Sequence, residues 1–371
     1  MNIKMRRHIR DFNRVSYVDE GEENIYSEKK VIDCSLGVNP FGCSKLISEE
    51  KNLFSIENLN NYPQYPYTEI RKEISKYWSD VAEIGSENIR LGCGSMGILN
   101  TINTMFVDKE YSVLGYCPQF TEYITDVKSQ GGMYEYVELK DNINFKFDKK
   151  KLISRMNNRT QMIYIDNPNN PTGQIIPISE LEEIVEVAKD MDICVVIDEA
   201  YGEFMSKKNS AITLLNKYPN LSVARTFSKG FGLAGIRVGY ILCSEFLLEY
   251  FKKVELPFSI NTISYNIARM ALRDTGFIKE SVDKIKEIKN RVIKECSKLR
   301  VLETSLECPI MLMMHPNNEF DLYNAFKKNN VITESGECFI GLGKNFVRLR
   351  VSKEIDDLIE VIRNIEKDIR I

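Results

Sequence analysis

Between residues 85 and 245 short apolar runs alternate with amphipathic segments, and few folds accept that pattern. The runs Asn88–Leu91, Tyr111–Tyr116, Met133–Leu139, Gln161–Ile165, Ile193–Ile197, Leu221–Thr226 and Arg237–Cys243 read as strands. Between them, Ile98, Leu99, Ile102, Met105 and Phe106 share one helical face, as do Leu181, Ile184, Val185 and Ala188. Ser179 and Glu182 have the spacing of a capping box and predict that helix's start. Strands separated by helices predict an α/β fold with a mostly parallel sheet covered on both faces. In such sheets function sits where loops leave the carboxyl ends of the strands. After about residue 262 the texture changes. Ile263 to Leu299 reads as one or two long charged helices, followed by strands Ile310–Met314 and Phe346–Val351 and a helix from Ile355. The expectation is a large domain over 46–260 and a smaller α+β domain built from 1–45 and 261–371.

Composition narrows the function classes. A chain of 371 residues, 43% hydrophobic and 28% charged, can bury a sizeable core. Fifty basic against fifty-three acidic residues leave no electrostatic footprint for nucleic acid. No apolar run approaches the roughly 18–20 residues of a membrane helix, so neither nucleic acid nor membrane is an expected partner. Nine cysteines, odd in number and without a CxxC pair, read as reduced core thiols of a cytoplasmic protein. Two isolated histidines, His8 and His315, cannot build a histidine metal site or a Ser–His–Asp triad, and no metal is expected. The basic start MNIKMRRHIR lacks an apolar core and reads as a solvated arm rather than a secretory signal.

Four loops at strand ends carry the chemistry. Gly92-Cys93-Gly94-Ser95-Met96-Gly97 matches G-x-G-x-x-G, but the next strand ends Leu114-Gly115-Tyr116, without an acid to hold a ribose. A phosphate cradle at a helix start, or a plain turn, remains. Asp166-Asn167-Pro168-Asn169-Asn170-Pro171-Thr172-Gly173 follows an apolar strand and consists of turn formers. Asp198-Glu199-Ala200-Tyr201 closes another strand, and an acid buried there needs a cation or a hydrogen-bond donor. Thr226-Phe227-Ser228-Lys229-Gly230, followed by Gly235-Ile236-Arg237, sets a lysine beside hydroxyls and an arginine.

The order and spacing of these loops resemble the class I/II pyridoxal-phosphate aminotransferases of fold type I, in the branch that holds histidinol-phosphate aminotransferase and threonine-phosphate decarboxylase. The resemblance runs from Asn39-Pro40 to the Arg348 segment. It implies a fold type I transferase with a mostly parallel central sheet, helices on both faces and a smaller α+β domain. It implies pyridoxal 5'-phosphate as cofactor, held by Lys229 as a Schiff base, with the lysine amine later moving the substrate proton. Asp198 would keep the pyridine nitrogen protonated, and Asn170 and Tyr201 would hold the phenolic oxygen. Phe120 and Ala200 would cover the two faces of the ring. The phosphate would lie among the N–H groups of Gly94, Ser95 and Met96, the hydroxyls of Thr226 and Ser228, and Arg237. Tyr62 matches a tyrosine that reaches the neighbouring subunit's phosphate, which implies a homodimer with shared active sites. Arg348 aligns with the arginine that grips the substrate α-carboxylate, with Asn170 and Gly37 beside it. Arg350, two residues on, reads as a surface charge.

The implied activity is amino-group transfer between an amino acid and a 2-oxo acid. The alternative is a decarboxylase resembling threonine-phosphate decarboxylase, because Pro118-Gln119-Phe120-Thr121-Glu122-Tyr123 and Gly341-Leu342-Gly343 look like that enzyme's segments. The chain departs from the pattern at Asn330-Val331-Ile332-Thr333-Glu334, where both phosphate-using enzymes carry an arginine for the substrate's distal phosphate. A carboxylate repels a phosphate monoester. Glu334 therefore either meets a neutral or cationic substrate side chain or is a solvated loop acid.

Overall fold

The computed structural model describes residues 5–16, 30–50, 60–139, 144–367 and 369. Of the basic start, residues 1–4 lie outside the described residues, as do 17–29 of the expected small-domain segment 1–45. Residues 5–16 are largely exposed, yet the Thr125 hydroxyl donates to the Val15 carbonyl and the Ser16 hydroxyl to Glu122.

A two-residue strand β1 (Ile32–Asp33) comes first, and the large sheet follows. Its strands are β2 (Ile89–Cys93), β3 (Ser112–Cys117), β4 (Met133–Glu138), β5 (Thr160–Asp166), β6 (Cys194–Asp198), β7 (Leu221–Thr226) and β8 (Val238–Cys243). They lie in the order β2-β8-β7-β6-β5-β3-β4. All run parallel except β8, which is antiparallel to both of its neighbours. Side chains alternate across a strand, and both faces are buried. Ile163 and Ile165 point into one core with Leu181, Ile184 and Val185 of the helix Ile178–Asp190. Met162 and Tyr164 point into another with Ile98, Leu99 and Ile102 of the helix Gly94–Phe106. Every predicted strand of this sheet forms, with ends displaced by at most two residues.

The second part holds β9 (Arg300–Val301), β10 (Ile310–Met314), β12 (Glu334–Ser335) and β13 (Phe346–Arg350) in the antiparallel order β12-β13-β10-β9. The short β11 (Val331–Ile332) instead pairs in parallel with β1. The charged stretch after Ile263 forms two helices, Thr262–Ala271 and Thr275–Glu295. Ile285 and Val292 of the second meet Met311, Met313, Val347 and Leu349 of the small sheet, while Ile267 and Ala268 of the first join the large sheet's core.

Three expectations need correction. The helix over Ile178–Asp190 is not started by a capping box: its N-cap is Pro177, and the side chain of Asn209 accepts from the Ile178 N–H at 2.9 Å. Arg350 is no surface charge, being 7% exposed and donating to the carbonyls of Val351 and Asp33. Residues two apart on a strand share a face, so Arg350 lies on the same side of β13 as Arg348, and the chain around β1 covers both. All nine cysteines are free, but only five are buried, and Cys93 is exposed.

Candidate active site

The carboxyl ends of β2, β3, β5, β6 and β7 and the start of β8 meet on one edge of the large sheet, so their loops share one space. Asp198 ends β6 and is buried. Its Oδ2 accepts from the Tyr164 hydroxyl at 3.0 Å and its Oδ1 from the Ala200 N–H at 3.0 Å. Burial, helped by the charge of Asp166, pushes Asp198 up to about 7, against the pull of Tyr164, Ala200 and Lys229. Lys229 lies in the turn after β7, its Nζ 5.5 Å from the centre of the Tyr201 ring. Loss of solvent, then the charges of Arg348 and Arg237, pull its pKa down to about 8. A sizeable fraction of this amine is therefore uncharged near neutrality, the condition for a nucleophile or base. Gly37 is needed for space, since a Cβ there would sit 1.7 Å from the Tyr201 hydroxyl oxygen.

Arg348 reaches this space from β13. Its Nη1 donates to Asn170 Oδ1 at 3.0 Å and its Nη2 to the Ser35 carbonyl at 2.5 Å. Asn170 is held in turn by its own N–H, which donates to Asp166 Oδ2 at 2.8 Å. Glu334 stands opposite Arg348 in the β12–β13 ladder, with Oε1 3.4 Å from Nη2. It is 7% exposed, so it is not a solvated loop acid. A cavity brings together Gly37, Ser95, Phe120, Asn170, Asp198, Ala200, Tyr201, Lys229 and Arg348.

An anion cradle adjoins the cavity. The helix Gly94–Phe106 begins without a side-chain cap, so the N–H groups of its first turn, including Gly94, Ser95 and Met96, have no partner within the helix. Gly94 has φ +70°, and a Cβ on it would meet Arg237 Nη2 at 2.7 Å. Opposite, the Thr226 hydroxyl donates to Ser228 Oγ at 2.9 Å, and Arg237 Nη1 approaches the same oxygen at 3.4 Å. Bare N–H groups, two hydroxyls and a guanidinium suit a phosphate, and the buried acid and depressed lysine suit a protonated ring nitrogen and a carbonyl carbon. The residues present thus fit a phosphorylated pyridine aldehyde.

Of the residues singled out in the sequence, Tyr62 alone stands apart from this cluster. It is 80% exposed and rests against Phe258, ring centres 4.7 Å apart. Thr226, Ser228, Met96 and Arg237 belong to the cradle, and Glu334 adjoins the cavity beside Arg348, which lines it. Sequence reasoning missed Asp166, Tyr164, Leu36 and Pro168. Asp166 was within reach: a second acid at a buried strand end, three residues ahead of an asparagine pair, is the same signal that singled out Asp198.

The family model described as "Aminotransferase class I and II" matches residues 29–363. A histidinol-phosphate aminotransferase of Clostridium novyi is 32% identical over 349 residues, 92% of each chain. Among solved structures, the histidinol-phosphate aminotransferase from Clostridium acetobutylicum aligns with a TM-score of 0.81 at 26% identity, over 91% of this chain and 100% of that one. The histidinol-phosphate aminotransferase from Sinorhizobium meliloti, solved in complex with pyridoxal-5'-phosphate, aligns with a TM-score of 0.84 at 19% identity, over 98% and 99% of the two chains.

Proposed function

The chain belongs to the class I and II aminotransferases, and from that premise we propose how its residues divide the work. It is an α/β protein of fold type I and a pyridoxal-phosphate-dependent aminotransferase. When bound, the cofactor supplies an electron sink for the bond broken at the substrate's Cα. Lys229 would hold it covalently, and Asp198 would face its ring nitrogen. Asn170 and Tyr201 would hold the phenolic oxygen, with Phe120 and Ala200 on the two ring faces. The phosphate would take the cradle of Gly94, Ser95, Met96, Thr226, Ser228 and Arg237.

Arg348 binds the α-carboxylate through its planar fork and keeps Cα beside Lys229. The Lys229 amine, held partly neutral by burial and two arginines, takes a proton from the substrate's Cα and returns one. Gly37 and Tyr201 close the pocket between the β1 segment and the large sheet. The amino acceptor is a 2-oxo acid, the assembly a homodimer in which Tyr62 serves the partner's cradle, and the place of work the cytoplasm. The exposed neighbours Tyr62, Leu256 and Phe258 support the dimer. The division of the chain at 46–260 belongs to the same proposal.

One observation carries this reading: a depressed lysine, a buried acid and a buried arginine line one cavity. The test is a visible spectrum of the purified protein with pyridoxal phosphate, then amino acid titrations with products identified by mass. A band bleached by an amino acid, with its 2-oxo acid appearing, supports transamination. Carbon dioxide release would promote decarboxylation instead. Lys229→Ala is expected to abolish turnover, and normal turnover in that variant would remove Lys229 from its role.

A further inference from the structure

We infer that this site selects an amino acid whose side chain carries a positive charge, with Glu334 as the group that meets it, an inference that rests on the aminotransferase reading above. The argument is one of charge balance. The charges of Asp33 and Glu122 reach Glu334, and each of these three acids has an arginine within 4.0 Å. Glu334 faces Arg348 at 3.4 Å, Asp33 faces Arg350 at 4.0 Å, and Glu122 faces Arg14 at 4.0 Å. Glu334 and Arg348 are the most buried of these pairs, with side chains 9% and 2% exposed. The substrate α-carboxylate needs Arg348, because among the described residues the cavity is lined by no other cation than Lys229, which the cofactor engages.

Once Arg348 turns to the substrate, two carboxylates share one guanidinium. A buried carboxylate without a cation of its own is costly. Glu334 can be relieved by a proton or by a cation that arrives with the substrate. A guanidinium or ammonium at the end of the substrate side chain supplies that cation and restores the balance. A second anion on the substrate, whether a carboxylate or a phosphate ester, worsens it and finds no further cation on the cavity wall. Burial already disfavours ionised Glu334, while Arg348 opposes that. The fit therefore discriminates against anionic side chains by repulsion as well as favouring cationic ones by attraction.

The test uses the cofactor-loaded protein with arginine, lysine, glutamine, glutamate and histidinol phosphate as amino donors. It reads the bleaching of the visible band and the mass of the product, in wild type, Glu334→Gln and Glu334→Arg. Arginine or lysine is expected to exceed glutamate and histidinol phosphate in kcat/KM by roughly 100-fold. In Glu334→Gln that preference falls by about tenfold or more, and in Glu334→Arg it inverts. Histidinol phosphate or glutamate as the best donor of the wild type overturns the inference while leaving the aminotransferase reading intact. So does an unchanged preference in Glu334→Gln, or a best neutral donor with proton uptake on binding. Should Glu334→Arg not fold, the isosteric Gln variant decides alone. No transfer from any donor sinks the aminotransferase reading, and this inference with it.

Discussion

Asp166 and Asp198 end adjacent parallel strands at the same register, two buried carboxylates side by side. They are held differently. Asp166 accepts from Tyr116, Gln119, Asn169 and the Asn170 N–H, whereas among the described residues Asp198 accepts from Tyr164 and Ala200. Asp166 therefore serves as a fixed negative neighbour that pushes Asp198 up, and Tyr164 as the donor that restrains it. In cofactor-free protein, Asp166→Asn is expected to lower the Asp198 midpoint from about 7, and Tyr164→Phe to raise it. Carbon-13 titration of the Asp198 carboxyl reads both directly. Movement of both variants in the same direction would show that the field at Asp198 has another source. The sign for stability follows: a carboxyl raised from 3.8 to about 7 keeps a proton that the unfolded chain has lost, so stability falls as pH rises through that window. Asp198→Asn removes that fall.

Lys229 gives a pH prediction for cofactor capture. Only the neutral amine attacks a carbonyl, so the rate of covalent capture by cofactor-free protein should rise with a midpoint near 8 rather than 10.5. Arg348→Gln should move that midpoint upward for two reasons of the same sign. It removes a cation near Lys229, and it leaves the Glu334 carboxylate without its partner. Stopped-flow absorbance across pH 6 to 10 measures the midpoint, and an unmoved value in the variant would exclude Arg348 as a cause.

Much of this could be read in the sequence, and the exceptions have physical reasons. A parallel strand buried on both faces is an unbroken apolar run, so β3, β5 and β6 showed themselves at once. The direction of β8 did not, because an apolar run carries no arrow. The signal was the short connection from Thr226 to Val238, which lacks the crossover helix a parallel neighbour needs. The motif residues were legible because each sits at a strand end, where the chain fixes position locally. Arg350 was misjudged because the face it shares with Arg348 is covered by β1, far away in sequence, and Glu334 was left open because its partner Arg348 lies on another strand. Asn209 replaced the expected cap in the same way, from a distant loop.

Tyr62 tests the proposed dimer. If it serves the partner's cradle, mixing Lys229→Ala with Tyr62→Ala subunits creates hybrids in which one site carries both changes and the other neither. Random exchange of equal amounts should restore roughly a quarter of wild-type sites at limiting cofactor. The check is activity before and after mild dissociation and reassociation. No recovery, in hybrids shown by mass to have formed, would mean that Tyr62 acts within its own chain or not at all.

Lys289 ties the small sheet to the loop that carries Asn170. It is wholly buried on the helix Thr275–Glu295, and its Nζ lies within hydrogen-bond distance of Thr304 Oγ1 and of the carbonyl oxygens of Ser305, Cys308 and Ile310, at 2.6–2.8 Å. The segment it gathers rests on Gly173: the Ser305 N–H donates to the Gly173 carbonyl at 3.0 Å, and a Cβ on Gly173 would lie 2.3 Å from the Ile310 carbonyl oxygen. Gly173 in turn closes the turn that presents Asn170 to Arg348. Lys289→Met leaves these oxygens without their donor and should cost about 2–4 kcal/mol, with a rise in KM for the amino donor as Asn170 loosens. The pH dependence identifies the cause. Burial lowers Lys289 from 10.5 to about 7, so between those values the unfolded chain holds a proton that the folded chain does not. Wild-type stability therefore gains from this group as pH rises through the window, by up to about 1.4 kcal/mol per pH unit. The Met variant lacks that gain, so the gap between the two in urea unfolding should widen from pH 7 to pH 9.5. A gap that stays constant would mean that Lys289 titrates alike in both states and that its four oxygens hold it as an ordinary ammonium.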